Sequence, residues 1–219
     1  AIRVSTDMQE IIDNSDVIIF AIPSAHLDNA IQKHKPTGLK DKWIMSAIKG
    51  MVVKYDSIPA RYFHKEFQIP YDRIGLIAGP CHAEEVAREK LSFLTVACPD
   101  LHIAQSVADA LKTRYIRVKT SEDVFGTEIA AVLKNIYAIA AGMALGLGYG
   151  DNFLSVLISN ASQEMKRFLA AVHEVDRDVK ESAYLGDLLV TAYSPHSRNR
   201  NLGMMIGKGY SVKGAIMEM

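Results

Sequence analysis

At 219 residues the chain is long enough for one large or two small domains, each with its own core. Its 25 Lys and Arg balance its 25 Asp and Glu, and no stretch concentrates enough basic charge to bind nucleic acid or an anionic membrane. The two cysteines, Cys81 and Cys98, form no metal-ligand spacing and fit a reducing compartment.

The first half alternates short β-rich runs with helical patterns. Strands are predicted at Val17 to Ile22, Trp43 to Ala47, Ile74 to Ala78, Phe93 to Cys98 and Tyr115 to Val118. Several are continuous apolar runs, as expected of strands covered on both faces. Between them, Asp7 to Asn14, His26 to Lys33, His82 to Lys90 and Asp100 to Thr113 suit helices, which reads as α/β with a mainly parallel sheet. From about Ser121 the β-runs stop, and helical patterns cover Glu122 to Leu147, Phe153 to Glu174 and Ser182 to Ala192. The expected fold is therefore α/β followed by all-α, with domains over 1–120 and 121–219.

An open α/β sheet binds ligands beyond the carboxyl ends of its strands, which makes Pro23-Ser24 and Gly79-Pro80 cleft positions; plain turn chemistry explains both as well. No G-x-G-x-x-G follows a strand, and the glycines of GMALGLGYG read as a helix end and loop. His82 beside Glu84 and Glu85 reads as a capping or solvated group rather than a metal ligand. Ala1 opens without an initiator Met or a signal segment, and Met219 follows an apolar, glycine-rich passage, so we expect part of a longer protein.

The most informative residue is Lys134, in the apolar run from Gly126 to Gly150, whose only other charge is Glu128. At helical spacing it has Ala130 and Ala131 one turn before it, Tyr137 and Ala138 one turn after, and Ala141 and Gly142 beyond, a stripe of mostly small residues. Small neighbours let a ligand or another element approach while the ammonium loses water, which turns a lysine into an acid or base usable near neutral pH. The alternatives are a lysine snorkelling to solvent and a membrane span, which Lys134 and Asn135 together oppose.

Three further segments carry polar groups. SAIKG places Lys49 after a strand, AGPCHAEEV places a tight turn at Gly79 to Ala83, and GDLLVTAYSPHSRNRN sets Asp187 and Thr191 one helical turn apart, followed by Ser197, Arg198 and Asn199 in a polar loop. Arginine can hold a phosphate or carboxylate through two parallel bonds. A lysine that protonates a carbonyl under reduction stabilises the transition state, and Asp187 could hold its ammonium. Each segment alone has a plainer reading, as a solvated loop, a structural hydrogen-bonded pair or a strand ending. Together they suit a small anionic carbonyl substrate.

The ordered set SAIKG, AGPCHAEEV, GTEIAAVLKNIYAIAAG, YGDN and GDLLVTAYSPHSRNRNLG resembles bacterial NAD(P)-dependent glycerol-3-phosphate dehydrogenase along nearly the whole chain. The resemblance implies a Rossmann domain, here incomplete, followed by a helical substrate domain. It implies a cytoplasmic enzyme that interconverts dihydroxyacetone phosphate and sn-glycerol 3-phosphate with NAD or NADP, for phospholipid synthesis. Lys134 then resembles the catalytic acid-base, and Lys49 a residue touching both substrate and cofactor. Gly79 and Cys81 resemble substrate contacts, and Ala83 a cofactor contact. Asp187, Ser197, Arg198 and Asn199 resemble the substrate-phosphate and catalytic cluster, Arg198 also reaching the cofactor, while Asn135 and Thr191 complete the polar lining. Cys81 stands where the family has serine, and a thiol is the weaker hydrogen-bonding group. The family's glycine-rich nucleotide motif is expected ahead of Ala1, and its C-terminal glutamate segment beyond Met219.

Two rivals stay open. Another two-domain β-hydroxyacid-type dehydrogenase would recognise a carboxylate, which Arg198 alone does not separate from a phosphate. A non-catalytic helical interaction module is the other, because the apolar helices could pack between chains, as in a homodimer. The choice between NADH and NADPH is not readable, since the residue that reads the ribose is expected ahead of Ala1.

Overall fold

The computed structural model describes residues 2–219. It divides into two compact units: the first comprises the residues up to Ala78 with Thr95–Leu111 and Val118–Glu128, and the second Gly79–Leu94, Lys112–Arg117 and Ile129–Met219.

Five strands form one sheet in chain order: β1 (Val17–Phe20), β2 (Trp43–Ser46), β3 (Ile74–Ala78), β4 (Ser92–Ala97) and β5 (Ile116–Ser121). The first three run parallel, with Val17 opposite Trp43 and Ile44 opposite Ile74. β4 reverses and pairs antiparallel with β3, Leu76 opposite Ala97. The chain between them holds only the four-residue helix α4 (Ala83–Val86), not the crossover helix that a parallel connection uses. Backbone bonds from Ser92 to Tyr115 and from Cys98 to Ser121 advance together, so β5 runs parallel to β4.

Helices α1 (Met8–Asp13), α2 (Ser24–His34), α3 (Pro59–Phe67) and α5 (Leu101–Leu111) flank these strands in sequence. Asp7 caps α1 by accepting the Gln9 amide at 2.9 Å, and Asp100 accepts the His102 amide at 2.8 Å at the start of α5. Helix α3 departs from the sequence expectation. No helix is expected over these residues, and Pro59 occupies the first helical position, where no amide hydrogen is needed. The core of the first unit packs Ile18, Phe20 and Ile44 against Leu27 of α2 and Phe63 of α3, with the Phe20 and Phe63 rings 4.7 Å apart.

The second unit is helical: α6 (Val124–Gly146, entering from the first unit), α7 (Asp151–Val172), α8 (Asp187–Tyr193), α9 (Arg198–Gly207) and α10 (Val212–Glu218). Helix α6 has the length and a mean hydropathy of 1.6 that would suit a membrane span. Here its Ala130, Tyr137 and Ala141 form a core with Leu154 and Ile158 of α7 and Leu188 of α8.

One local expectation changes. Residues 198–207, expected to begin as a polar loop, are helical; Ser197 caps the helix by accepting the Arg200 amide at 3.3 Å. Gly142 lies inside α6 and Gly146 ends it, within the helical pattern expected over Glu122 to Leu147. A Cβ on Gly142 would overlap the Arg200 carbonyl, and one on Gly203 would overlap the Ile139 carbonyl. Helices α6 and α9 thus cross backbone to backbone, which only residues without a side chain permit. The remaining glycines do behave as a loop: Gly148 has a φ of 86°, and Gly150 caps α7.

Candidate active site

Lys134 projects from α6 into the second unit. Its Nζ donates to Asp187 Oδ1 at 2.6 Å and to Thr191 Oγ1 at 3.1 Å. The Thr191 hydroxyl spends its own hydrogen on the Asp187 carbonyl, at 2.6 Å, so it faces the lysine as an acceptor. The pairing of two buried charges offsets their loss of water only when the geometry is good and further hydrogen bonds assist; Thr191 gives that assistance. Asp187 opens α8 directly after one turn of π-helix over Ser182–Gly186, in which the Gly186 amide reaches back to the Glu181 carbonyl at 3.3 Å.

The Gly79–His82 turn reaches the same region of the second unit. Gly79 has a φ of 119°, and a Cβ there would lie 2.8 Å from the Phe93 carbonyl oxygen, so the position takes only glycine. Pro80 stands beside Gly186, whose added Cβ would lie 3.7 Å from the proline Cγ. His82 stands just before α4 without a side-chain capping bond to it, and its ring centroid is 6.4 Å from that of His196. The Cys81 thiol is half-buried, and Ala83 is the exposed first residue of α4.

Arg198 and Asn199 are the first two residues of α9, where backbone amides and the dipole favour an anion. With Leu202, Ile216 and Met219 they line a groove of about 340 Å³. Arg198 is exposed, as an anion-gripping guanidinium needs to be, whereas Ser197 is buried with its hydroxyl engaged in the cap. Asn135 is half-buried and turns its amide back to the Ala131 carbonyl at 3.2 Å, leaving its oxygen as the group directed elsewhere.

Lys49 belongs to the first unit, exposed just beyond the carboxyl end of β2. Beside it, Gly50 has a φ of 124°, and its missing Cβ would lie 3.1 Å from Ser24 Oγ, which follows β1. The ends of two parallel strands thus make a cradle that a side chain would fill.

One functional group escaped the sequence reading. Glu128, on α6 in the first unit, is 3% exposed, and both its oxygens accept the Ala60 amide in the first turn of α3, at 3.2 and 3.3 Å. Burial pushes its carboxyl up to about 8, the Ala60 amide pulling the other way. The signal was present: a lone acid in an apolar helical run poses the same question as a lone lysine. Among the described residues no group of three or more His, Cys, Asp or Glu is arranged to hold a metal ion.

A mostly parallel sheet with a glycine cradle at its strand ends, followed by helices that bury a lysine against a carboxylate, is the architecture of two-domain nucleotide-dependent dehydrogenases. The chain belongs to the NAD-dependent glycerol-3-phosphate dehydrogenase family, whose N-terminal model matches residues 1–104 and whose C-terminal model matches 123–219. It is 33% identical over 219 residues to glycerol-3-phosphate dehydrogenase (NAD(P)+) of Syntrophomonas wolfei, covering 98% of this chain and 63% of that protein. Identity to the Pseudomonas fluorescens enzyme is 37% over 224 residues, covering 100% of this chain and 63% of that one. The chain therefore spans just under two thirds of these relatives. The crystal structure of glycerol-3-phosphate dehydrogenase from Coxiella burnetii superposes with a TM-score of 0.83 at 26% identity, covering 97% of this chain and 64% of that one. The Plasmodium falciparum enzyme shares the fold with a TM-score of 0.86 at 22% identity, covering 98% and 61%.

Proposed function

We propose that the protein interconverts dihydroxyacetone phosphate and sn-glycerol 3-phosphate with NAD or NADP, in the cytoplasm, supplying glycerophospholipid synthesis. The observation that carries this reading is the buried Lys134–Asp187–Thr191 cluster in a chain of this family. In the reducing direction the Lys134 ammonium bonds to the ketone oxygen, stabilises the charge that develops there and delivers the proton; in the oxidising direction its neutral amine takes the proton back. Asp187 keeps the ammonium aimed and offsets its charge, and Thr191 restricts its swing. Arg198 and Asn199, at the start of α9, hold the phosphate end, with Gly79, Cys81, Asn135 and Ser197 shaping the rest of the substrate lining.

The residues at the strand ends fit a nicotinamide dinucleotide, because the Gly50 position leaves room beside Ser24 that a Cβ would fill. When bound, the nicotinamide supplies or accepts the hydride. Lys49, Ala83 and Arg198 are the residues that would hold it. No glycine-rich pyrophosphate turn occurs in these 219 residues, so phosphate binding by the cofactor is not assigned to any of them. We also propose a homodimer through exposed apolar residues of α7, among them Phe153, Val156, Phe168 and Val172, which a light-scattering mass would test.

The deciding experiment follows nicotinamide absorbance in the natural protein with dihydroxyacetone phosphate. Turnover supports the reading; absence of turnover, or preference for a carboxylate substrate such as a β-hydroxy acid, replaces it.

A further inference from the structure

A group of charged residues in the first unit takes no part in the roles above. Lys54, in a short turn over Val53–Tyr55, donates from Nζ to Glu66 Oε2 at 2.8 Å and pairs with Asp28 Oδ1 at 3.2 Å. Asp28 belongs to α2 and Glu66 to α3. The two helices are also joined without the lysine. The Tyr62 hydroxyl of α3 donates to Asp28 Oδ1 at 2.9 Å, and the Gln32 amide of α2 donates to Glu66 Oε1 at 3.2 Å. Lys54, together with Tyr55, whose hydroxyl donates to Glu66 Oε2 at 2.7 Å, therefore fastens the turn to a helix pair that is already closed.

The neighbours of that turn give the fastening its consequence. Gly50 lies four residues before Lys54, and Ser24 lies four residues before Asp28, one turn back along α2. The segment thus meets α2 at two successive points, Gly50 at Ser24 and Lys54 at Asp28. Between the backbones of Val52 and Ser57, bonds of 2.8 and 3.3 Å close the base of the turn just beyond Gly50. What fixes Lys54 therefore also fixes the strand end that carries Lys49 and Gly50.

We propose that Lys54, with Tyr55, is a positioning residue for the nicotinamide cofactor: it seats the Lys49–Gly50 strand end against α2 and so holds open the cradle beside Ser24. The proposal rests on the reading of that cradle as the cofactor seat. A lone, partly exposed ion pair is worth little, since water screens it and ordering two long side chains costs entropy. Here one ammonium serves two carboxylates, each already directed by a phenol or an amide from the opposite helix, so less ordering remains to be done.

The test uses the natural protein. Lys54→Met, alone or with Tyr55→Phe, removes the fastening and leaves the Tyr62–Asp28 and Gln32–Glu66 bonds in place. Amide hydrogen exchange should then quicken at Val52 and Ser57 while α2 and α3 stay as protected as in wild type. Titrated by fluorescence with NADH or NADPH, Lys54→Met should bind the cofactor roughly threefold to fivefold more weakly, and the double variant more weakly still. In turnover KM for the nicotinamide should rise while kcat changes little. Lys54→Arg, which can bridge the same two carboxylates, should restore both exchange and affinity. A role confined to folding would quicken exchange across both helices and leave the affinity of the folded protein unaltered. Unaltered cofactor affinity in the double variant overturns the proposal whatever the exchange shows, and so does an arginine variant as weak as the methionine one. If the wild type binds neither nucleotide, the cradle reading fails instead, and exchange at Val52 and Ser57 decides the fastening by itself.

Discussion

Lys134 and Asp187, 53 residues apart in the chain, meet as a 2.6 Å ion pair whose side chains are 5% and 1% exposed. Both side chains are buried, so the ion pair, helped by Thr191 accepting from the ammonium, does much of the work that water does for an exposed charge.

This dependence shapes the first prediction. Lys134→Ala should lose on the order of 10² to 10⁴ in kcat as the proton-transfer group disappears. It should also unfold more easily by roughly 3–5 kcal/mol, because the Asp187 carboxylate is left buried without its cation. Lys134→Met combined with Asp187→Leu should regain stability and remain inactive. Chemical denaturation beside steady-state kinetics separates the two effects; a Lys134→Ala protein as stable as wild type would mean that the carboxylate has a second source of compensation.

A second prediction concerns Arg198. Lysine keeps the charge but lacks the planar fork, and a charge-assisted bond is worth about 1.5–3 kcal/mol. Arg198→Lys should therefore lower kcat/KM for the phosphorylated ketone by roughly tenfold or more. Unchanged kinetics would move the phosphate site away from the start of α9.

Glu128 gives a pH dependence with a definite sign. Desolvation raises its native value to about 8 from an ordinary 4.5, so the folded state holds the proton more tightly than the unfolded chain. The associated stability is fully present below the unfolded value, declines as pH rises, and is gone above the folded value. A shift of this size corresponds to roughly 4–5 kcal/mol as an upper figure. Melting temperatures recorded from pH 5 to 9 should fall through this window in wild type and less so in Glu128→Gln, whose amide oxygen can still accept the Ala60 amide. Identical slopes in the two proteins would assign the titration to another group.

The α6–α9 crossing yields a prediction about packing. In Gly142→Ala the new methyl meets the Arg200 backbone, which cannot rotate away as a side chain would. A loss of about 1–3 kcal/mol should lower Tm by roughly 3–10 °C. Gly150→Ala, with open space around the glycine, is the control and should change Tm much less. Equal melting of both variants would show that the helices separate easily.

Much of the fold was legible because it depends on local pattern. Continuous apolar runs marked β1 to β3, and the alanine stripe around Lys134 correctly implied a face that another element could approach closely. The one-turn spacing of Asp187 and Thr191 set both on one side of α8, but nothing in the sequence said that this side meets α6. Helix α3 was not read from the sequence, and α9 was hidden by the polar run RNRN, whose reason to be helical lies in the backbone it presses against. Glu128 was hidden for a similar reason. A buried carboxyl makes sense only once the amide it accepts is known, and Ala60 lies 68 residues away.

The π-turn at Ser182–Gly186 bears on how such sites are compared between proteins. One π turn holds one residue more than an α turn, so every side chain after it is rotated by about 100° from where an unbroken helix would carry it. The aim of the carboxylate and hydroxyl at the lysine is therefore a matter of counting as much as of residue type. Converting that turn to an α turn with every residue kept would swing Gly186 and Val190 into the directions that Asp187 and Thr191 now take, whereas dropping one residue along with it would leave the motif aimed as it is. Two chains with identical motifs can thus aim them alike although one leads in through a π turn and the other through an α turn one residue shorter.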